Sequence, residues 1–262
     1  MISPHKTTSA DGTSIAFDVT GEGDPLILIE PAGHYRDFSA FEELRALLAQ
    51  RFSVYCYDRR GRGDSGDASD YTPMREVEDL AAILGVIGRP AYVYGYSSGA
   101  LLALHAAAQR LPIKKMALLE PPLQESDAVP DPLTEELAVL VGKGKYADAV
   151  EHFHVSIGVP DEYVAQMRGT ISFEKMTAIA PTLVYDCRIS EATSPGLLAS
   201  AYVPTLVLDS QGSTDDLAGW AASVARQLPF ATHRSLPGEW HSVDSGILAP
   251  VLIDYFERSA EQ

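Results

Sequence analysis

The stretch that most constrains this chain is Gly95-x-Ser97-x-Gly99, where a strand-like segment passes directly into a helix-like one. Residues 91–94 are alanine, tyrosine and valine, which favour a strand, and the leucines and alanines that follow the stretch favour a helix. A one-residue turn between the two elements strains the backbone of its central residue and brings the flanking positions close together, so glycine is needed there. The pattern predicts that Ser97 stands at a sharp strand-to-helix turn, the arrangement of a serine nucleophile.

Composition narrows the class of protein further. The 262 residues are enough for one domain that carries an inserted lid, and the formal net charge of −16 argues against binding to nucleic acid, whose phosphates would be repelled. No run of about eighteen apolar residues predicts a membrane helix, and the first residues lack the apolar core of a signal peptide. With Cys56 and Cys187 as its only cysteines, the chain is expected in a reducing, cytoplasmic environment. The sequence leaves the oligomeric state open.

Strand and helix patterns alternate along most of the chain. The predicted strands are 13–20, 26–29, 52–57, 91–94, 115–119, 204–208 and 231–236. The predicted helices outside the middle of the chain are 38–49, 73–87, 101–108, 218–227 and 247–258. Thr72 is the expected N-cap of the second of these helices, because proline follows it at the first helical position. This order predicts an α/β fold with a doubly wound, mostly parallel sheet.

The middle of the chain departs from that alternation and reads as helices alone. The predicted helices there are 134–141, 146–157, 161–168 and 173–189. A helical insertion between two strands of a sheet predicts a cap over the carboxyl ends of the strands. We therefore expect an α/β core in two parts, residues 1–121 and 201–262, and a helical cap at residues 122–200.

A histidine follows the last predicted strand, at Pro237-Gly238-Glu239-Trp240-His241. In hydrolases with a serine elbow the general base comes late in the chain, after the serine, and His241 is in that position. His105, His152 and His154 lie on predicted helices, where a packed or solvated side chain is the simpler interpretation. A cap histidine could nevertheless contact a substrate.

These features together resemble the α/β-hydrolase superfamily over nearly the whole chain. They are the Gly95–Gly99 elbow, His241, and the run Asp-Arg-Arg-Gly-Arg-Gly-Asp-Ser at residues 58–65, which in that family acts as structural turn chemistry. The run also contains Gly61-x-Gly63-x-x-Gly66, but no phosphate-binding helix is predicted after it, so no nucleotide cofactor is expected. No cysteine or histidine cluster has the spacing of metal ligands, and no metal is expected.

The acid that orients the histidine has several candidates. Glu120 ends an apolar strand beside the elbow strand, where it would be poorly solvated without a partner such as an imidazole N–H, and some α/β hydrolases carry a glutamate acid there. The resemblance implies instead an acid after the strand that follows the cap, where counting reaches Ser213. Asp215 lies slightly beyond it and is the runner-up, followed by Asp209 and Asp216. The sequence favours Glu120 without excluding the others.

Two backbone N–H groups are expected to stabilise an oxyanion. Ser98 supplies one at the start of the helix, and the other comes from the loop after the first buried strand. The family often has His-Gly there, whereas this chain has Glu30-Pro31-Ala32. Pro31 has no N–H to donate, so Ala32 is the predicted donor, with Gly33 as the runner-up. We expect the Glu30 carboxylate to face away from the developing negative charge.

The sequence thus predicts a serine hydrolase of the carboxylesterase or lactonase type, acting on a medium-sized, mostly apolar ester, lactone or thioester through an acyl-enzyme on Ser97. The predicted pocket between sheet and cap is apolar and aromatic, with Tyr35, Tyr96, Leu123, Phe153, Ile157, Tyr185 and Trp240 as its residues. Two alternatives remain open. One is a lyase, acyltransferase or cyclase of natural-product metabolism on the same fold, and the other is a ligand receptor with little turnover.

Overall fold

A sheet of eight strands runs through the part of the chain that the computed structural model describes, residues 4–123 and 132–258. The strands are β1 (His5–Thr8), β2 (Ser14–Thr20), β3 (Asp24–Ile29), β4 (Phe52–Tyr57), β5 (Ala91–Tyr96), β6 (Ile113–Leu119), β7 (Thr205–Ser210) and β8 (Ala231–Leu236). Their spatial order is β1-β2-β4-β3-β5-β6-β7-β8. The pairs β1–β2 and β2–β4 are antiparallel, and every other pair is parallel. The predicted fold class, a doubly wound and mostly parallel α/β sheet, is confirmed.

Helices cover both faces of this sheet. Those of the core are α1 (Glu42–Leu48), α2 (Pro73–Ile87), α3 (Ser98–Ala108), α10 (Asp215–Gln227) and α11 (Ser245–Glu257). The central strands are buried on both sides, as the uninterrupted apolar run of β3 predicts. Ile27 and Ile29 pack with α2 and α3, whereas Leu26 and Leu28 pack with α1 and α11.

The described residues of the segment between β6 and β7 form helices that are joined by short loops, without a strand among them. Its helices are α4 (Leu133–Gly142), α5 (Tyr146–Ser156), α6 (Asp161–Met167), α7 (Ile171–Ala178), α8 (Leu183–Ala192) and α9 (Pro195–Ser200), with a 3₁₀ turn at Ala180–Thr182. Leu137, Phe153 and Met176 form part of its own apolar core, against which Ala32 of the loop after β3 packs. The insertion therefore lies over the carboxyl end of the sheet, and α8 packs on α2 and α3.

Several predicted elements differ from the observed ones. The strand β1 was not expected, because it is a short edge strand with a mostly exposed pattern. The predicted helix 173–189 is divided into α7, the 3₁₀ turn and α8, since Pro181 within the turn interrupts regular helix hydrogen bonding. The helix predicted at 38–49 begins only at Glu42. Within the described residues, no helix has both the length and the apolar composition needed to span a membrane.

Candidate active site

Ser97 is the single residue that connects β5 to α3, and its backbone conformation is one that residues other than glycine rarely adopt. Its φ is 53° and its ψ is −123°. A β-carbon added to Gly95 would lie 2.5 Å from the carbonyl oxygen of Gly99, and one added to Gly99 would come still closer to the backbone of Ile29. Both glycines are therefore required by close backbone contacts, which agrees with the reason given for them from the sequence.

Backbone strain is concentrated at three of the residues singled out from the sequence. Ser97, Glu120 and His241 have φ angles of 53°, 43° and 51°, and Arg110 is the one other non-glycine residue with positive φ in the described ranges. Such conformations cost free energy and persist where the surrounding structure holds them. Each of the three follows a parallel strand, namely β5, β6 and β8, so all three lie at the carboxyl edge of the sheet.

The carboxylate of Glu120 binds the imidazole of His241. Its Oε2 lies 2.5 Å from Nδ1 of His241, and its Oε1 accepts hydrogen bonds from the backbone N–H of Ser210 at 2.7 Å and from the hydroxyl of Ser213 at 2.6 Å. The glutamate side chain is fully buried. Burial opposes its ionisation, but these three hydrogen bonds outweigh that effect and lower the pKa of Glu120. The charged carboxylate is the form that this environment favours.

His241 is oriented by that contact and by its own backbone. The carboxylate accepts a hydrogen bond from the Nδ1–H group, so in the neutral ring Nδ1 carries the proton and Nε2 is a hydrogen-bond acceptor. The backbone N–H of His241 donates to the hydroxyl of Ser213 at 2.8 Å, and the hydroxyl of Tyr96 donates to its carbonyl oxygen. His241 and Ser97 line the same cavity. The imidazole is thus held in the tautomer that a general base needs.

Sequence reasoning missed the part played by Ser213. Counting along the chain places this residue where the family acid usually stands, and the structure places its hydroxyl between Glu120 and the backbone of His241. The signal was present, because a small polar residue at that position suits a hydrogen bond to an acid that comes from the neighbouring strand.

The other candidate acids make no contact with the His241 imidazole, although Asp216 lines the same cavity. Asp215 and Asp216 are exposed in the first turn of α10. The carboxylate of Asp209 is buried and binds Nε2 of His233 and the hydroxyl of Ser235. Of the four carboxylates considered, Glu120 is the one that contacts His241.

The two predicted oxyanion donors face the same cavity as Ser97. Ala32 and Ser98 are lining residues, and neither backbone N–H has a hydrogen-bond acceptor among the described residues. Ser98 is the first residue of α3, so its N–H has no partner within the helix. Gly33 does not line this cavity, and a β-carbon there would contact the side chain of Met176 instead.

Glu30 is directed away from this cavity. Its carboxylate accepts hydrogen bonds from the hydroxyl of Ser39 and, at 3.1 Å, from the backbone N–H of Ala40. Burial raises the pKa of Glu30 to about 7, although both hydrogen bonds favour the charged form. The residue therefore does not place a negative charge beside the two N–H donors.

A buried ionic cluster contacts the predicted oxyanion residue Ser98. Asp186 of α8 accepts hydrogen bonds from Arg59 at 2.7 Å, from Arg62 at 2.6 Å and from the hydroxyl of Ser98 at 2.7 Å. The side chains of both arginines and of Asp186 are almost completely buried. The pKa of Asp186 is lowered, since the two guanidinium groups and Ser98 outweigh the effect of burial. A residue of a cap helix therefore accepts a hydrogen bond from one of the two predicted oxyanion residues.

Arg62 continues this cluster into the loop that carries the other donor. Its guanidinium group donates to the carbonyl oxygens of Pro31 at 2.7 Å and of His34 at 3.1 Å, on either side of Ala32. The run at residues 58–65 was interpreted as turn chemistry, and the part played by Asp186 was missed. Three arginines among four residues were a signal, because arginines beside a buried strand need carboxylate partners.

The cavity between sheet and cap has a volume of about 500 Å³. Four of the predicted pocket residues line it, namely Tyr96, Phe153, Ile157 and Trp240. Tyr35, Leu123 and Tyr185 lie outside its lining. Leu123 belongs to the apolar core of the sheet, and Tyr185 stacks on Tyr71 with 3.8 Å between ring centroids.

Tyr35 is the third of these corrections. Its backbone pairs with that of Phe38, and the two rings meet edge to face at 6.3 Å between centroids. The direction of a loop side chain is set by such local pairing, which composition does not reveal. The cavity also has polar lining residues that the prediction of an apolar pocket omitted, including His34, His154 and Asp186.

The sheet order and the strand-to-helix elbow are those of the α/β-hydrolase fold. The model of the alpha/beta hydrolase family matches residues 18–250, and the chain belongs to that family. An alpha/beta hydrolase from Sphaerobacter thermophilus is 40% identical over 96% of this chain and 100% of its own, with a TM-score of 0.88.

Other relatives are more distant or match less of the chain. An esterase from Thermogutta terrifontis, solved with malate bound, is 20% identical with a TM-score of 0.75, over 97% of this chain and 98% of its own. At that identity the likeness shows the fold alone. A pimeloyl-(acyl-carrier protein) methyl ester esterase from Stenotrophomonas maltophilia is 36% identical over 39% of this chain and 38% of its own length. The chain thus spans well under half the length of the curated relatives that it matches.

Proposed function

We propose that this chain is a serine hydrolase that cleaves a small-molecule carboxylic ester, or a lactone or thioester of similar size, through an acyl-enzyme on Ser97. The observation that carries the proposal is the 2.5 Å contact between Glu120 and His241, in a cavity that also exposes Ser97. An acid, a histidine and an elbow serine in this arrangement match the roles of a catalytic triad. The methyl ester esterase among the relatives supports the same reaction class.

In the proposed first half-reaction, the hydroxyl of Ser97 attacks the acyl carbon while Nε2 of His241 takes its proton. Glu120 stabilises the imidazolium ion, because its buried, negatively charged carboxylate accepts a hydrogen bond from the Nδ1–H group. The backbone N–H groups of Ala32 and Ser98 stabilise the tetrahedral oxyanion, and each such donor contributes roughly 3–4 kcal/mol in related enzymes. His241 then gives its proton to the departing alcohol or thiol, which leaves Ser97 acylated.

The second half-reaction repeats these steps with water. His241 takes a proton from water as the water oxygen attacks the acyl carbon, and it returns the proton to Ser97 as the acid departs. The volume of about 500 Å³ suits a medium-sized substrate, and Phe153, Ile157 and Trp240 supply apolar surface for it. We expect a cytoplasmic enzyme that needs neither metal nor cofactor.

The experiment that tests this proposal traps the acyl-enzyme. The protein is mixed with para-nitrophenyl acetate, quenched in acid within milliseconds and analysed by peptide mass spectrometry. An acetyl group on the peptide of Ser97, absent in Ser97→Ala, is the expected result. Turnover in heavy-oxygen water should place one heavy atom in each acetate. A product without the label would favour an acyl transfer to another acceptor, and no acyl adduct at all would favour a ligand receptor.

A further inference from the structure

Two histidines of the cavity have no part in the proposed reaction. His34 lies in the loop after β3, two residues beyond Ala32, and His154 lies on the cap helix α5. Both side chains line the cavity that contains Ser97. They come from the two layers that enclose the cavity, the core and the cap.

The hydrogen bonds of these rings determine their tautomers. Nδ1 of His34 lies 3.0 Å from the carbonyl oxygen of Ala32, and Nδ1 of His154 lies 2.7 Å from that of Val150. A carbonyl oxygen can only accept, so Nδ1 carries the proton in both rings. In a neutral ring Nε2 is then an acceptor with a free lone pair. His34 is further held by stacking on Phe38, with 4.9 Å between ring centroids.

Neither Nε2 atom is satisfied by the protein. No hydrogen bond joins either atom to another of the described residues. Both Nε2 atoms are also accessible. Within the described ranges, the polar side-chain atoms that are buried and lack a hydrogen-bond partner belong to Ser9, Arg36, Tyr57 and Tyr255, and neither histidine is among them. Both acceptors are therefore open to a molecule in the cavity that their side chains line.

The electrostatic surroundings keep both rings neutral. Burial lowers the pKa of His154 and of His34, while the hydrogen bond to the carbonyl oxygen opposes this in each case. The positive charge of Arg62 and the neighbouring His154 lower the pKa of His34 further, and Asp186 opposes them. Near pH 7 the two rings present acceptors, not positive charges, to the cavity.

We propose that His34 and His154 form a subsite that accepts hydrogen bonds from a hydroxyl group of the substrate, so that the substrate is a hydroxylated ester or lactone. This inference rests on the proposed function. A plain hydrocarbon substrate would displace water from two acceptors and offer nothing in return, whereas a hydroxyl group replaces the lost hydrogen bond. The apolar lining residues then contact the hydrocarbon part of the substrate, and the two imidazoles favour substrates that carry the hydroxyl group.

The test compares four methyl esters that share the methyl phenylacetate skeleton and differ in one ring substituent. They are methyl phenylacetate, its meta-hydroxy and para-hydroxy derivatives, and its para-methoxy derivative, which keeps the oxygen atom and lacks the donor. Acid release is followed by chromatography. The wild-type kcat/KM for the better hydroxy ester should exceed that for the methoxy ester by about tenfold to a hundredfold.

The variants assign this preference to the subsite. His154→Phe and His34→Phe keep a ring of similar size without an acceptor, and each should reduce the preference to about threefold or less. His152→Phe is the matched control on the same helix, since His152 lies on its outer side and binds Glu136 at 2.6 Å. The control should keep the wild-type preference. Because the readout is a ratio of two esters, a general loss of activity does not imitate the effect.

Two results would overturn the subsite. One is a wild-type enzyme that cleaves the methoxy ester as well as both hydroxy esters, and the other is a preference that survives in both phenylalanine variants. Failure of the proposed function is a different outcome. In that case none of the four esters is cleaved and para-nitrophenyl acetate does not acylate Ser97.

Discussion

The two halves of the candidate site are held in place by different means. Glu120 and His241 are held by strand ends and backbone groups of the core, whereas Ala32 and Ser98 are held by buried ions that include Asp186 of the cap. The first set is the triad half and the second set is the oxyanion half. In the triad half the supporting contacts come from the sheet and its own loops. In the oxyanion half they come partly from an inserted helix.

The two halves differ in whether their supporting contacts come from the core alone or also from the cap. The backbone N–H of Glu120 donates to Leu208 at 2.9 Å, and that of Ser97 donates to Leu119 at 2.9 Å, so neighbouring strands fix the backbones of the triad half. Asp186, by contrast, reaches Ser98 and the two arginines from α8. The contacts that hold Glu120 and His241 come from the core, whereas Ser98 and the arginines beside the Ala32 loop are also contacted from the cap.

The largest effect is expected in the triad half, from Glu120→Gln. The amide would still accept from Ser210 and Ser213, but its N–H would face Nδ1 of His241 and favour the wrong tautomer of the ring. We expect kcat for para-nitrophenyl acetate to fall by about a thousandfold to ten-thousandfold, with little change in the melting temperature.

The control for this change is Asp209→Asn, at the end of the next strand. Asp209 binds His233 and not His241, so its variant should keep kcat within about threefold. If Asp209→Asn or Asp215→Asn were as damaging as Glu120→Gln, the triad half would have been assigned to the wrong carboxylate.

The next effect is expected in the oxyanion half, from Asp186→Asn. Removing this charge leaves Arg59 and Arg62 short of a buried partner and weakens the bond to Ser98. We expect the unfolding free energy to fall by about 3–5 kcal/mol. We also expect kcat to fall by about tenfold to a hundredfold as the two N–H donors lose their alignment. Denaturant unfolding and steady-state kinetics measure the two effects.

Asp79→Asn separates stability from catalysis in that experiment. Asp79 pairs with Arg60, the one arginine of the run that does not bind Asp186, at 2.7 Å, and both side chains are buried. This variant should lose similar stability and keep kcat within about threefold, since neither residue lines the cavity. Equal losses of kcat in the two variants would mean that Asp186 matters only for stability.

The smallest effect concerns Glu30, which begins the loop of the oxyanion half. Its pKa of about 7 in the folded protein lies above its ordinary value of 4.5, so the folded state binds the proton more tightly. The stability that this proton contributes is complete below pH 4.5 and is lost as the pH rises to about 7. Glu30→Gln should therefore gain stability relative to the wild type as the pH rises from 4.5 to 8, by up to about 3 kcal/mol. Urea unfolding across that range measures the difference, and a constant difference would contradict the raised pKa.

The triad half could be predicted from the sequence because its residues follow strands. The glycines around Ser97 require a sharp turn, and Glu120 and His241 each come directly after a strand or its short loop. The parallel sheet then places all three at one edge. Each of these residues is marked by a local sequence pattern, and the parallel arrangement of the strands brings the three patterns to the same edge of the sheet.

The oxyanion half could be predicted only in part. Ala32 and Ser98 follow from their places after β3 and at the start of α3, but Asp186 lies more than a hundred positions from Arg62 along the chain. Which arginines Asp186 pairs with depends on how the cap packs on the core, and no local sequence pattern encodes that packing. The same limit explains why Tyr185, which lies next to Asp186, was expected in the cavity and stacks on Tyr71 instead.

The central claim is that Ser97 is activated by His241, and labelling with a small fluorophosphonate tests it most directly. Intact-protein mass spectrometry follows the rate of adduct formation in the wild type and in Ser97→Ala, His241→Ala and Asp209→Asn. A single adduct on Ser97 is predicted, with no label in Ser97→Ala, a rate lowered by at least about a thousandfold in His241→Ala, and an unchanged rate in Asp209→Asn. A wild-type protein that stays unlabelled, or a His241→Ala variant that labels at the wild-type rate, would contradict the account.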